Sequence, residues 1–390
     1  MRLGLGNNLV GNGGGVNRYD PVTKIAFVGD SITDAGSTSL FSTAARGYFP
    51  WAQAFNGQKW DIVPKTSVNR LQFANSSAST ATIVANQMSA VLASGADTIV
   101  WHTGQNDRAT GLLTALQAAN NMRAVWATIK AAKIRPIATT LCGVTMPTIQ
   151  QTWNVEFNGY IRTYAAADGI TLCDWASILS PNGIDDGILD PQYTIDSIHP
   201  NSLGASRMGR VLASTLNQYV LQSRDPFSGL SNASPNPNMT GGPPPTSWTF
   251  TIGASNSVGT QTYEAASDPS KWWRIPHTQG GANASQIITF EDTISSYNGV
   301  RFASLVEIQV LSGSIQSVRA NQYLQGGGTT ATCLSQVDSG ILGPQITASD
   351  GTVVLRTPFT AGNETTNLAY CDIFFTGTAN LRIRRLATWY

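Results

Sequence analysis

Charge is scarce in this chain. Of its 390 residues only 12% are Asp, Glu, Lys or Arg, 24 basic against 23 acidic, and like charges never gather into a run. A formal balance of +1 leaves no electrostatic footprint for nucleic acid or an anionic membrane surface, so recognition has to rest on shape and local chemistry. Also missing is any apolar stretch of the roughly 18 residues that a membrane-spanning helix needs. The N-terminus shows no secretory succession of basic, apolar and small residues. Its opening, MRLGLGNNLVGNGGGVN, is too rich in Gly and Asn for helix or strand, and residues 1–19 read as a flexible leader or attachment segment. The four cysteines fit neither a CxxC redox site nor a zinc site. They fall as Cys142 with Cys173 and Cys333 with Cys371, which leaves a disulfide open, more so for the second pair.

What is present is apolar enough to fold: 42% of residues are hydrophobic, and the length predicts two domains, each with its own core. From residue 20 to 224, β-branched apolar runs alternate with helical patterns. Strands are expected at 25–28, 71–74, 98–101, 136–141 and 170–173, and helices at 47–55, 81–93, 112–133, 152–167 and 202–221, the last with Asn201 as N-cap. Such alternation implies right-handed crossovers and a parallel sheet covered on both faces, with ligands outside the carboxyl ends of its strands.

Residues 225–246 hold six prolines among Gly, Ser and Asn and read as a linker. Beyond it, from 247 to 390, short alternating runs at 248–252, 286–290, 305–310, 352–355 and 381–384 are separated by Gly, Asn and Ser turns. This texture predicts an all-β jelly roll or β-sandwich.

Gly29-Asp30-Ser31 follows the first strand, which puts a serine hydroxyl at the carboxyl edge of the sheet. A serine needs a base to become nucleophilic. Asp196-Ser197-Ile198-His199 supplies one: a carboxylate three residues before an imidazole can hold Nδ1 and leave Nε2 for the serine proton. Gly104-Gln105-Asn106-Asp107 ends a middle strand on the same edge, where the Asn106 amide can donate to a tetrahedral oxyanion. The chain contains no G-x-S-x-G, which argues against the nucleophile elbow of the α/β-hydrolases.

In this order and context, GDS, G-x-N-D and D-x-x-H resemble the blocks of the SGNH hydrolases, also called GDSL-like lipases or esterases, over roughly residues 24 to 224. The resemblance implies a flavodoxin-like α/β/α sheet, Ser31 as nucleophile and, with Asn106, as part of the oxyanion hole, Asp196 with His199 as base pair, and no metal or cofactor. One feature departs from the family. Its usual glycine after the second strand, whose N–H completes the oxyanion hole, is replaced by Ala74-Asn75-Ser76-Ser77-Ala78-Ser79, so the backbone of Ser76 or Ser77 becomes the expected donor.

Supporting residues have plainer expected roles. Asp30 and Asp107 are expected to fix their turns through backbone N–H groups, with Gly104 shaping the second. Among the three histidines, His102 reads as a core residue and His277 belongs to the other domain. Arg46-Gly47-Tyr48 either borders the cleft or forms a solvated loop. Of Trp272 and Trp273, adjacent in a strand and so on opposite faces, one is expected in the core and at most one on a sugar. The expected activity is ester hydrolysis through an acyl-enzyme, most readily O-deacetylation of a polysaccharide by an extracellular or virion-associated protein. The β-rich module resembles those of phage tail proteins and carbohydrate-binding modules, and a homo-oligomer would fit such a setting. Two alternatives stand beside it: a general short-chain esterase or lipase, and a non-catalytic tail component.

Overall fold

The computed structural model describes residues 24–39, 42–60, 70–145, 148–219, 242–265, 271–289, 300–324, 328–335, 343–361 and 369–390. The leader, most of the linker and the stretch Asn236 to Gly241 lie outside the described residues.

The N-terminal half is built on β1 (Ile25–Gly29), β4 (Gln72–Ala74), β5 (Thr98–His102), β6 (Arg135–Thr139) and β7 (Thr171–Cys173), all parallel, in the order β4-β1-β5-β6-β7. Counting only these strands the order is 2-1-3-4-5, the flavodoxin-like arrangement, in which ligands sit where the winding reverses beside the first strand. Every residue of β1 and β5 is buried, as continuous apolar runs require when helices cover both faces. Helices α1 (Ser31–Asp34), α2 (Tyr48–Phe55), α3 (Thr80–Leu92), α4 (Gln105–Ala109), α5 (Ala115–Ala131), α6 (Thr148–Ala167) and α7 (Ser202–Asn217) do the covering. One apolar cluster packs α3, α5 and α6 against one face, and another packs α2 and α7 against the other. The Asn201 cap forms as the sequence predicts, its side chain accepting from Gly204 N–H. Helix α5 starts later than Leu112 because Thr114 and Gln117 close a capping box.

The C-terminal half is all-β: β8 (Trp248–Thr251), β9 (Ser257–Val258), β10 (Thr262–Ala265), β11 (Lys271–Thr278), β12 (Ser285–Thr289), β13 (Arg301–Ile315), β14 (Ser317–Leu324), β15 (Thr329–Ser335), β16 (Ile346–Thr347), β17 (Thr352–Arg356), β18 (Thr360–Ala361), β19 (Ala369–Thr376) and β20 (Ala379–Trp389). These form two sheets, β10-β11-β20-β13 with short strands along β13 and β11, and β15-β14-β19-β12-β8. Their pairings are antiparallel, and Trp273, Ile308, Val318, Ile373, Phe375 and Ile383 fill the shared core as in a β-sandwich.

The two halves are not beads on a linker. After α1 the chain forms a hairpin, β2 (Ser37–Ser39) and β3 (Ser42–Ala44), and β3 joins β15 in parallel, extending a sheet of the C-terminal half. Ala45, Trp51, Ala54 and Ala205 share one buried cluster with the β-sandwich core. The disulfide question left open by the sequence is answered in the negative: all four cysteines are buried free thiols. Cys333 and Cys371 face Ala320 and Gln322 from strands on either side of β14. Two strand spacings amount to about 9–10 Å, beyond the roughly 7 Å between Cα atoms that a disulfide tolerates.

Candidate active site

The nucleophile segment is set by a glycine that nothing can replace. A Cβ on Gly29 would lie 2.0 Å from Thr33 Oγ1 and 2.5 Å from the His102 carbonyl oxygen, so only glycine lets β1 turn this tightly into α1. Asp30 caps that short helix, its Oδ1 accepting from Ile32 N–H at 3.1 Å, which is the fixing role expected of it. The turn leaves Ser31 half-buried at the carboxyl edge of the sheet.

The sequence separates Ser31 from His199 by 168 residues, and the fold closes the gap: Ser31 Oγ lies 2.7 Å from His199 Nε2. On the other side of the ring, Nδ1 lies 2.7 Å from Asp196 Oδ2. A carboxylate only accepts, so the ring proton belongs on Nδ1 and Nε2 is left to accept from the serine. Asp196 Oδ1 is engaged as well, taking the N–H groups of His199 at 2.9 Å and Ile198 at 3.2 Å. Partial burial raises the Asp196 pKa, but those bonds and the His199 ring outweigh it and hold the carboxyl below its ordinary value.

This turn is tightly tied. Thr194 Oγ1 donates to the His199 carbonyl at 2.8 Å, Ile195 N–H donates to the same oxygen at 3.0 Å, and Thr145 N–H donates to Ser197 O at 3.0 Å. Ser197 takes φ of 88°, a left-handed conformation that costs a non-glycine residue energy. The strained residue lies between the carboxylate and the imidazole in sequence.

Asn106 stands in the first turn of α4, half-buried. Its capping residue Gly104 has φ of 129°, and a Cβ there would meet the Phe157 ring at 2.7 Å. Asn106 Nδ2 donates to Ala78 O at 3.2 Å, and Asp107 accepts both Thr80 N–H and Thr80 Oγ1–H at 2.7 Å. These bonds fasten α4 to the turn after β4. The turn is fastened to the nucleophile in its own right, by Asn75 N–H on Gly29 O at 2.9 Å and Ser76 Oγ–H on Asp34 at 2.8 Å. Ser77 has φ of 64°, the conformation a glycine would favour. The Ala78 and Thr80 N–H groups are taken, whereas those of Ser76, Ser77 and Ser79 have no partner among the described residues. Ser76 and Ser77, the donors expected from the sequence, are two of these three, and Ser79 caps α3.

Behind this surface lies an unusual interior. Asp30 is fully buried, and burial pushes its carboxyl up to about 7 even though the Ile32 N–H pulls it down; its Oδ2 has no partner among the described residues. Burial also raises Asp107. His102 is buried and pushed down to about 3, hence neutral, with Nδ1 on Thr139 Oγ1 at 2.9 Å. His277 is likewise a core residue, held between Gly377 O and Ser285 Oγ at 2.7 Å each. Tyr48 is fully buried on Thr33 Oγ1 rather than lining a cleft.

One expectation is overturned. Trp273 lies in the sandwich core, and Trp272, on the opposite face as alternation requires, is also buried, with Arg382 and Arg384 each 4.6 Å from its ring centre. The two guanidinium groups occupy the outward ring, so neither tryptophan offers a sugar an open face.

Among the described residues no helix is long and apolar enough to cross a membrane. Residues 27–207 match the model of the GDSL-like lipase/acylhydrolase family. No curated protein matches the chain. Similar solved structures include an acetylxylan esterase from Geobacillus stearothermophilus in a catalytic-mutant form, at 16% identity and a TM-score of 0.40, covering 53% of this chain and 100% of that one. A GDSL-like lipase from Bacteroides thetaiotaomicron aligns at 18% identity and a TM-score of 0.37, covering 51% of this chain and 87% of that one. With its three motif segments gathered at one edge of the parallel sheet, the N-terminal half of this chain carries a GDSL-like lipase/acylhydrolase domain, matched over residues 27–207.

Proposed function

We propose that this protein is a serine esterase whose catalytic residues are Ser31, His199 and Asp196. The observation that carries the reading is the continuous chain of 2.7 Å contacts from Ser31 Oγ through the imidazole to Asp196. Ser31 Oγ attacks the ester carbonyl while its proton passes to His199 Nε2. Asn106 Nδ2 and backbone N–H groups of the Ser76–Ser79 turn receive the oxyanion, and the imidazolium hands its proton to the departing alcohol. A water molecule repeats the cycle on the acyl-enzyme and releases the acid.

For the ester we propose an O-acetyl group on a polysaccharide, encountered outside the cell or on a virion. Support comes from the outer face of the β15-β14-β19-β12-β8 sheet. There Tyr323 and Tyr370 stack at 4.3 Å, and Asp372 gathers Asn321, Gln286 and Tyr323 at 2.8–2.9 Å. The two tyrosine rings are half-buried there and offer aromatic surface suited to a sugar ring, while Asp372 and Asn321 are themselves buried and hold Tyr323 in place. A second reading, a general short-chain esterase or lipase, draws on exposed apolar side chains in segments that follow strands of the parallel sheet, three in loops and one in the first turn of α6: Leu112, Ile184 and Ile195 are 86%, 60% and 44% exposed and Ile149 71%.

Acetate release across a panel of acetylated polysaccharides, set against p-nitrophenyl acetate and butyrate, tests both. Faster release from one polymer than from the simple esters, lost in Ser31→Ala, supports the deacetylase. Equal rates with no gain from any polymer would support the second reading, and no turnover of any ester would leave a structural tail component.

A further inference from the structure

We propose that the β-rich half is a brace for the catalytic triad, and that Gln345 and Asp350 are positioning residues that act on His199 through α7. The proposal rests on the triad reading above but assigns the second half a role other than holding substrate.

Helix α7 starts three residues after His199, and its first residue is already held from the other half. Ser202 Oγ and Gln345 Nε2 are 2.9 Å apart, both residues buried. Two turns along, the Arg210 guanidinium grips Asp350 in bidentate fashion, Nε to Oδ1 at 2.5 Å and Nη2 to Oδ2 at 2.9 Å, and also meets the Gln345 carbonyl. The Asp350 side chain is only 5% exposed, and its Oδ2 also accepts Thr347 N–H at 2.7 Å. Gln345 is pinned in turn, its N–H on Ile315 O at 2.9 Å at the end of β13. The base-bearing segment thus rests on a strand that threads the C-terminal core.

The nucleophile is held from the same half by different means. The chain leaving α1 forms the β2–β3 hairpin, tied back by Gly36 N–H on Thr33 O and Ala44 N–H on Gly36 O, both at 3.1 Å. Strand β3 pairs with β15, Ala45 N–H donates to Ser335 O at 3.1 Å, and Ser335 Oγ–H donates to Thr43 O at 3.2 Å. Ser31 and His199 come from opposite ends of the N-terminal half, and each continues into a segment bonded to the C-terminal half. A drift of about 1 Å between reacting groups costs roughly a hundredfold in rate, so loosening either grip should appear in the chemical step.

The test uses the full chain. Gln345→Leu and Asp350→Asn are compared with wild type after titrating active serines with a fluorophosphonate, so that kcat is expressed per competent site. The accompanying readouts are KM for p-nitrophenyl acetate, the low-field proton resonance of His199 Nδ1–H, and thermal unfolding. The expected result is a kcat per titrated site lower by about tenfold or more, KM within about twofold, and a broadened or shifted resonance at temperatures where the variants remain folded. Asp350→Glu, which keeps the ion pair, should recover part of the rate and guards against a variant that fails to fold. Variants that melt earlier yet keep the wild-type kcat per site and the wild-type resonance would overturn the brace. A wild-type serine that takes no label at all would overturn the esterase reading together with it.

Discussion

Replacing Asp196 by asparagine should damage this enzyme more than replacing it by alanine. In the native turn Oδ1 accepts two backbone N–H groups, at 2.9 and 3.2 Å, and Oδ2 faces Nδ1 at 2.7 Å. An asparagine keeps both backbone bonds only with its oxygen at the Oδ1 position, which turns its NH₂ toward Nδ1. That orientation draws the imidazole proton to Nε2, the tautomer that cannot accept from Ser31. The opposite orientation saves the correct tautomer but sets the NH₂ against two N–H donors, sacrificing about two hydrogen bonds at roughly 1 kcal/mol each. The wrong tautomer is then favoured by about 2 kcal/mol, roughly thirtyfold. Loss of the carboxylate's support for the imidazolium adds about 1–2 kcal/mol, kept low because the Asp196 side chain is 48% exposed. Asp196→Asn should therefore lose about 10²–10³ in kcat with little change in KM, less than the roughly 10⁴ associated with a fully buried triad carboxylate. Asp196→Ala imposes no tautomer and should lose only about 10–10². Steady-state kinetics on p-nitrophenyl acetate decides it. An asparagine variant within threefold of wild type, or one more active than the alanine variant, would refute the reasoning.

Two further outcomes follow from the same geometry. Asn106→Ala should lower kcat by about 10²–10³, the usual effect of removing one oxyanion donor, while leaving the rate of serine labelling less affected than turnover. Asp30→Asn keeps the cap and removes a buried titrating group whose folded pKa, about 7, lies above the ordinary 3.8. Because that pKa is raised, the folded state holds the proton better. The wild type should lose stability relative to the variant as pH rises from about 4 to 7, with no further change above that. Melting temperatures that run parallel across this range would contradict it.

The parts legible in sequence were those where chemistry restricts residue type. A serine after the first strand, an Asn-Asp pair after the third and an Asp three residues before a His leave few alternative uses, and the parallel strands between them are short, mostly buried runs set between helical patterns. Asn201 was legible as a cap because its bond is local. Features decided by distant partners were not. The hairpin that includes Ser42, Thr43 and Ala44 is short and polar, and becomes a strand only because β15, nearly 300 residues later, offers an edge. Strand alternation put one of Trp272 and Trp273 outward, but nothing local announced which, or that Arg382 and Arg384 would cover it. The core of β13 was recognisable from Leu305 to Val310, but its extension to Arg301–Ile315 was not. The strand continues through Ser312-Gly313, with Gly313 at φ of 74° beside a register shift against β20. Helix α5 was expected from Leu112 because the apolar period ran on through Leu113, and the Thr114 cap overrode it.

The most direct measurement is intact-protein mass spectrometry after exposure to a fluorophosphonate, with peptide mapping of the adduct. The account predicts one adduct per chain, located on Ser31, and none on Ser31→Ala or on wild-type chain unfolded before exposure. Equal labelling of folded and unfolded chain, or an adduct on any other serine, would contradict the claim that the fold itself makes residue 31 a nucleophile.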